Sequence, residues 1–238
     1  MSNYDADSLI RSPEYQAELA AQRTFMARVY GWMTIGLLAT AFRALVVASS
    51  QDLVHTIFVS GGIWILVIAE LAIAFGFRAA LRVVPAPVAA AMFLVYSVLT
   101  GATLSILLLV YTASSVASTF FVTAGMFAGI SAYGYVTKRS LNSIGSFCIM
   151  GLWGLIIASV VNIFLRSNGM DWLISIVGVI VFTGLTAYHT QLMKQGYAEG
   201  EPGTEVNRKY ALMGAFALYL DFVNLFIYML RFMGNRRD

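Results

Sequence analysis

The sequence predicts an all-α, polytopic membrane protein, and three observations point that way. Of its 238 residues, 59% are hydrophobic and 11% are charged, with a mean hydropathy of +0.77. A soluble domain carries about 25% charged residues, because it must surround its core with a solvated shell. Seven apolar stretches are each long enough to cross a hydrocarbon layer of about 30 Å at 1.5 Å of rise per residue. Spanning consumes nearly the whole chain, which leaves no room for a second globular domain.

The segments follow in order. Residues 1–28 are polar and mixed in charge, unlike a cleavable signal peptide, whose short apolar core follows a basic start. Within them Ser12-Pro13-Glu14 sets an N-cap residue before a proline at the first helical position. That predicts a short amphipathic helix on the cytoplasmic surface. The spans cover 29–48, 54–75, 87–110, 116–135, 144–165, 172–193 and 210–232, so residues 29–233 form one transmembrane domain and 234–238 a short basic tail. The links at 49–53, 111–115 and 166–171 are brief. Only 194–209 is long, and its Gly196-Tyr-Ala-Glu-Gly-Glu-Pro-Gly203 run reads as a solvated loop.

Basic residues orient the bundle. One side receives Arg11, Arg23, Arg28, Arg78, Arg82, Lys138, Arg139, Lys194, Arg208 and Lys209. The other receives Arg43, Arg166, Arg231, Arg236 and Arg237. The richer side is cytoplasmic and includes the N-terminus. The basic tail is the misfit, because an odd number of crossings puts it outside; a re-entrant last segment would return it, but 210–232 is long enough to cross.

Several activities fail on inventory. The only histidines, His55 and His189, lie in different spans without HExxH spacing, so no zinc site is predicted. No Gly-x-Ser-x-Gly elbow, P-loop or dinucleotide fingerprint occurs. A retinal protein needs a lysine inside its last span, and Lys209 stands at the mouth instead. The lone Cys148 excludes an intramolecular disulfide. Basic residues are dispersed over helix ends rather than gathered in a patch, which argues against nucleic acid. No internal repeat is visible to support an inverted-repeat transporter. The chain is therefore expected to be no enzyme and to carry no cofactor.

Ionisable residues inside spans are costly and need a partner, water or a function. Asp221 is about halfway along the last span, with Asn224 and Tyr228 on the same helix face. His189, in the sixth span, shares a polar face with Thr183, Thr186 and Thr190. Imidazole, with a reference pKa near 6.5, titrates most readily near neutral pH. Counting from the span ends places Asp221 about two turns deeper than His189, so spacing does not itself bring them together. Each could instead merely fasten helices through ordinary hydrogen bonds. Glu70, in the second span, either joins this polar interior, pairs with Arg43, Arg78 or another basic group, or reaches toward water. Arg43 is expected to snorkel. Asn162 and the Ser97/Thr100/Thr103 row read as interhelical glue, and Gly125-xxx-Gly129 as a weak close-packing motif.

Longer runs carry a resemblance. Gly134-Tyr-Val-Thr-Lys-Arg-Ser-Leu-Asn-Ser-Ile-Gly-Ser-Phe147, Gly154-Leu-Ile-Ile-Ala-Ser-Val-Val-Asn-Ile-Phe164, Phe182-Thr-Gly-Leu-Thr-Ala-Tyr188 and Leu220-Asp-Phe-Val-Asn-Leu-Phe226 resemble the bacterial branch of the Bax-inhibitor, or transmembrane Bax-inhibitor-motif, family. Arg28-Val-Tyr-Gly-Trp-Met-Thr-Ile-Gly-Leu37 is similar to that family's first span. The resemblance implies seven helices, six around a central last one. It implies an inner-membrane protein associated with pH-dependent calcium leak and with modulation of a membrane-bound AAA protease; eukaryotic relatives suppress cell death and lower stored calcium. Family members set a carboxylate on the sixth helix against one on the seventh as a pH-sensing pair. Asp221 matches the seventh-helix member, whereas His189 stands at the usual sixth-helix aspartate. Ser140 likewise stands where the family's Thr-Lys-Arg run continues with aspartate.

Two close buried carboxylates cannot both ionise cheaply and so share a proton. Its loss creates repulsion and leaves two hard oxygen ligands suited to calcium. An imidazole–carboxylate pair attracts when charged, and nitrogen is a poor calcium ligand. The expectation is a pH-sensitive cation leak, of calcium or protons, or a regulator of membrane ion homeostasis, weakened or altered by His189. The pathway residues would be His189, Asp221, Glu70 and Asn224. The alternative is a non-conducting protein that binds and modulates a membrane-bound AAA protease or another membrane complex, using its N-terminal segment as the handle.

Overall fold

The computed structural model describes residues 12–197 and 202–237. Arg11 with the rest of the first eleven residues, part of the long loop (198–201) and Asp238 lie outside these. The long helices are α1 (Pro13–Ala48), α3 (Gly62–Val83), α4 (Ala86–Val110), α5 (Ala113–Val136), α6 (Asn142–Leu165), α7 (Asn168–Gly196) and α8 (Glu205–Met233). A short α2 (Gln51–Val54) and a π turn (His55–Val59) lie between α1 and α3. All seven long helices have the length and apolarity needed to cross a bilayer.

Ser12 does cap the first helix, accepting a hydrogen bond from the Tyr15 N–H at 3.3 Å, with Pro13 in the first turn. The expected surface helix is nevertheless not a separate element. No glycine or proline interrupts residues 14–30, and Phe25, Met26 and Val29 are buried against the bundle. The helix therefore continues into the first span for 36 residues, about 54 Å at the α-helical rise.

The second span starts later than its apolar composition suggests. Residues 54–59 wind through α2 and the π turn, and Ile57 packs with Val47 of α1 and Ala102 of α4. Gly61 then takes φ of 84°, a left-handed conformation that glycine adopts at little cost, and α3 begins at Gly62. The shift carries Arg78 and Arg82 into the last turns of α3 rather than into the link after it.

Helix α8 is central. It packs against α1, α3, α4, α5 and α7, and Leu225 and Met229 meet Leu155 of α6 in a shared cluster. Buried residues make up 56% of its apolar window, against 6% for α3, which faces outward. Lipid tails are as apolar as leucine, so these helices are held by close packing and hydrogen bonds rather than by exclusion of water. Glycine sets two of the closest approaches. A methyl group at Gly101 would collide with the Thr40 carbonyl of α1, and one at Gly134 with the Ala187 carbonyl of α7. By contrast Gly125 and Gly129 have nothing within 4 Å to meet a Cβ. The motif that looked like a packing seam faces open space.

The last helix crosses fully. Its tail docks on the link between α4 and α5: the Thr112 N–H donates to the Asn235 carbonyl at 3.1 Å, the Arg237 N–H to the Val110 carbonyl at 2.8 Å, and the Asn235 N–H to Ser115 Oγ at 2.7 Å. That link lies at the opposite end of the bundle from Gln22 and Arg28 of α1, whose partners are Lys194 and Asn207. A re-entrant last segment is thereby excluded.

The glycine contrast is testable by thermal unfolding in detergent. Gly134→Ala should lower stability by about 1–3 kcal/mol, the usual cost of overpacking. Gly129→Ala should stay within about 0.5 kcal/mol of the unmodified protein. Equal losses in both would contradict the packing described.

Candidate functional site

Helices α7 and α8 run antiparallel, and side chains along the seam fix their register. The Met193 sulfur lies over Gly214. Tyr228 lies over Gly178 and stacks on Phe182, with ring centroids 5.8 Å apart. At the far end Asp171 receives Arg231 at 2.6 Å. This register sets His189 level with Asp221, and His189 Nδ1 lies 2.6 Å from Asp221 Oδ2. The two-turn offset expected from the sequence disappears because α8 begins at Glu205 and its first turns extend past the end of α7.

The pair is interior but not sealed. The Asp221 side chain is 3% exposed and the His189 side chain 22%. A carboxylate only accepts hydrogen bonds, so while Asp221 is ionised Nδ1 carries the proton between them. Nε2 is then the nitrogen free to gain or lose a further proton. Beside the pair, Thr186 returns its hydroxyl to the Phe182 carbonyl at 2.7 Å, and Thr190 reaches Ser131 of α5 at 3.4 Å. Ser131 also lines a crevice of about 770 Å³ between α1 and α5, with Phe127 and Phe222 among its walls.

Other predicted residues sit elsewhere. Glu70 accepts a hydrogen bond from Thr103 at 2.5 Å, on the α3–α4 side. Near it, Tyr219 of α8 meets Thr40 of α1 at 2.6 Å. Thr40 also reaches the Gly36 and Ser97 carbonyls at 3.0 and 2.9 Å. Asn224 donates to its own helix at the Leu220 carbonyl, 2.8 Å away, and does not reach the pair. Arg43 and Arg78 are not charge partners: among the described residues no ion pair joins either to Glu70, His189 or Asp221. Arg43 rests its stem against Gly101, with Nε enclosed and without a hydrogen-bond partner. Arg78 is exposed.

Two polar clamps were not anticipated. Gln191, two residues beyond His189, accepts from the Leu141 N–H at 2.8 Å and donates to the Arg139 carbonyl at 2.8 Å. It thereby holds the Thr-Lys-Arg-Ser link against the helix that carries the imidazole. Lys194 donates to the Tyr135 carbonyl at 2.8 Å. At the other end Asn162 is the interhelical glue expected of it: it donates to Asp171 of α7 at 2.8 Å and accepts from the Ser167 N–H at 3.1 Å. These residues stand near helix ends, where polar side chains are ordinary, so only tertiary contacts distinguish them. On the first-helix side, Tyr197 donates to Glu18, a bond that pushes the phenol pKa up to about 12.

The pair's value is measurable by unfolding in detergent. Removing one member of a buried ion pair costs about 3–5 kcal/mol, and the partial exposure of His189 favours the lower end. His189→Leu should thus destabilise strongly. Asp221→Asn keeps a hydrogen-bonding group and should cost about 1 kcal/mol. Joining His189→Leu with Asp221→Leu should recover much of the loss; simple addition of the two single losses would show that the groups do not interact.

Comparison with known proteins gives the family. The family model described as "Inhibitor of apoptosis-promoting Bax1" matches residues 22–238. The inner membrane protein YbhL of Escherichia coli (strain K12) is 47% identical over 233 residues, covering 97% of this chain and all of that protein. Uncharacterized protein RP147 of Rickettsia prowazekii is 44% identical over 216 residues, 91% of each chain. An uncharacterized protein of Borreliella burgdorferi is 42% identical over 231 residues, 97% of this chain and all of that one. With seven helices of crossing length and an inner-membrane relative matched end to end, the chain belongs to the Bax-inhibitor family and is a multi-pass protein of the inner membrane.

Proposed function

We propose that the chain is a cation leak pathway of the pH-sensitive kind, or the regulator of one, whose pH response is set and weakened by the His189–Asp221 pair. The carrying observation is the 2.6 Å approach of these two groups between α7 and α8. A helix pair that needed only fastening could use neutral hydrogen bonds; an ionisable pair inside the bundle points to a function. The N-terminus is assigned to the cytoplasm by the distribution of basic residues. On this reading the protein is not an enzyme and needs no cofactor.

Proton counting gives the sign of the response. In a two-carboxylate site the single shared proton is the bond, and raising pH removes it. Two unit charges left 4 Å apart then repel by about 4 kcal/mol at an effective dielectric constant of 20. Here raising pH removes the Nε2 proton, while Nδ1–H still bridges to Oδ2. The contact survives alkalinisation, and the site offers one carboxylate where calcium prefers several oxygens. Leak through this chain should therefore respond weakly to rising pH. Glu70, held by Thr103, is the second carboxylate available to a cation crossing the bundle, but on the opposite side of α8.

The test is calcium and proton flux into calcium-free vesicles reconstituted with the unmodified chain, Asp221→Asn and His189→Asp. His189→Asp should restore a leak that climbs several-fold with pH, while the unmodified chain stays nearly flat. Asp221→Asn should remove whatever pH response remains. An unmodified chain that climbs as steeply as His189→Asp would refute the assignment.

A non-conducting role in modulating a membrane-bound AAA protease draws on one observation: the first turns of α1 extend beyond the length a bilayer requires. Removing residues 1–20 spares Gln22 and Phe25, which pack on the bundle. If this reading is correct, that truncation abolishes co-purification of the protease and leaves flux unchanged.

A further inference from the structure

At the end of the bundle that holds the start of α8, a groove of about 480 Å³ opens between α1, α4 and α8. Its walls are apolar and its depth comes from small side chains: Ala90 and Ala91 on α4 and Ala211 on α8, with Leu94 and Trp32 beside them. Arg28 and Arg208 complete the lining. Both arginines are exposed, and among the described residues neither has a carboxylate within 4 Å. Arg28 is held in place: its Nη1 donates to Asn207 Oδ1 at 3.4 Å, and buried Asn207 is anchored in turn on the Tyr197 carbonyl at 3.3 Å. Glu205, one turn before Arg208, does not neutralise the site. Its carboxylate is engaged by the Ala86 N–H at 3.0 Å and by Lys209 at 3.7 Å.

We propose that this groove binds one anionic phospholipid from the surrounding bilayer, its phosphodiester between Arg28 and Arg208 and an acyl chain along the alanine-lined floor. Guanidinium groups match phosphate oxygens in geometry as well as charge. Basic pockets between transmembrane helices at a membrane surface are the known physical setting for anionic headgroups. Tryptophan favours the headgroup level, which fits Trp32 one helical turn beyond Arg28. The groove's volume falls in the usual range of about 300–1,000 Å³ for ligand sites. A zwitterionic lipid brings a cation of its own to the two arginines and is disfavoured. The inference is independent of ion conduction, since it concerns a different face of α8 from the His189–Asp221 pair.

The test is native mass spectrometry of the full chain released from nanodiscs containing phosphatidylglycerol and phosphatidylcholine in equal amounts. The unmodified protein should retain one phosphatidylglycerol. Each arginine near a lipid surface contributes about 1 kcal/mol, so Arg28→Gln with Arg208→Gln should weaken retention by roughly tenfold or more. Ala91→Trp, which plugs the groove from an exposed position and keeps both charges, should weaken it as well. Lys138→Gln with Arg139→Gln removes the same charge at the same end of the bundle, away from the groove, and should change nothing. The proposal falls if the distant pair of substitutions matters as much as the arginine pair, or if the plugged groove retains lipid normally. It also falls if phosphatidylcholine is held equally, or if inorganic phosphate displaces the bound lipid.

Discussion

A carboxyl group in the middle of the most enclosed helix of a lipid-embedded bundle has few ways of being satisfied, and Asp221 has found one of them in His189. Water is scarce there, and the cost of leaving a charge uncompensated exceeds that of an ordinary hydrogen bond several-fold. The 2.6 Å contact therefore constrains α7 and α8 together. A one-residue slip along the seam would separate the two groups and push Met193 and Tyr228 off the glycines that receive them. The second ion pair of this seam, Asp171–Arg231, is 42% and 32% exposed and contributes little on its own. Register is set by the inner pair and the glycine contacts, and the outer pair closes a position already determined.

The opposite side of α8 is built differently. Tyr219 precedes Asp221 by two residues, about 200° around the helix, so the phenol faces α1 and α4 while the carboxylate faces α7. Tyr219 is packed edge-on against Phe93 and Tyr96, at centroid separations of 5.4 and 6.0 Å. Thr40 has one proton to give and two carbonyls in reach, so it accepts from the Tyr219 hydroxyl and donates to a carbonyl. Around Tyr219 the contacts are neutral hydrogen bonds and ring contacts, although Arg43 Nε and the Thr100 hydroxyl, both enclosed on this side, have no hydrogen-bond partner among the described residues. The interior carboxyl groups of Glu70 and Asp221 thus lie on opposite sides of the central helix.

Much of this was legible in the sequence, because a membrane span is defined by length and apolarity, and both are local. Every crossing helix was anticipated, as were Asp221 and His189 as its informative residues. The errors arise where local pattern and tertiary context part. Residues 54–59 are apolar enough to begin a span, yet Gly61 turns the chain and Ile57 docks on neighbouring helices instead. Residues 13–28 are polar enough to lie on a surface, yet Phe25 and Met26 hold them in line with the first span. Gly125 and Gly129 have the spacing of a helix contact, yet no helix lies beside them. The role of Gln191 was illegible, because its partners are backbone groups some fifty residues away.

The distribution of contacts also says which part can move. Helix α8 is enclosed on every side, so shifting it would break the inner pair, the Thr40–Tyr219 bond and the docked tail together. Helix α3 is bound loosely: its apolar window is 6% buried, it enters through a π turn and a left-handed glycine, and Glu70–Thr103 is its main polar tether. Local opening draws on elements with few buried contacts. Helix α8 touches both α3 and α7, and a second route runs from α3 through α4 and α1 to α7. The titratable pair and the loosely packed α3 thus lie on opposite faces of the central helix.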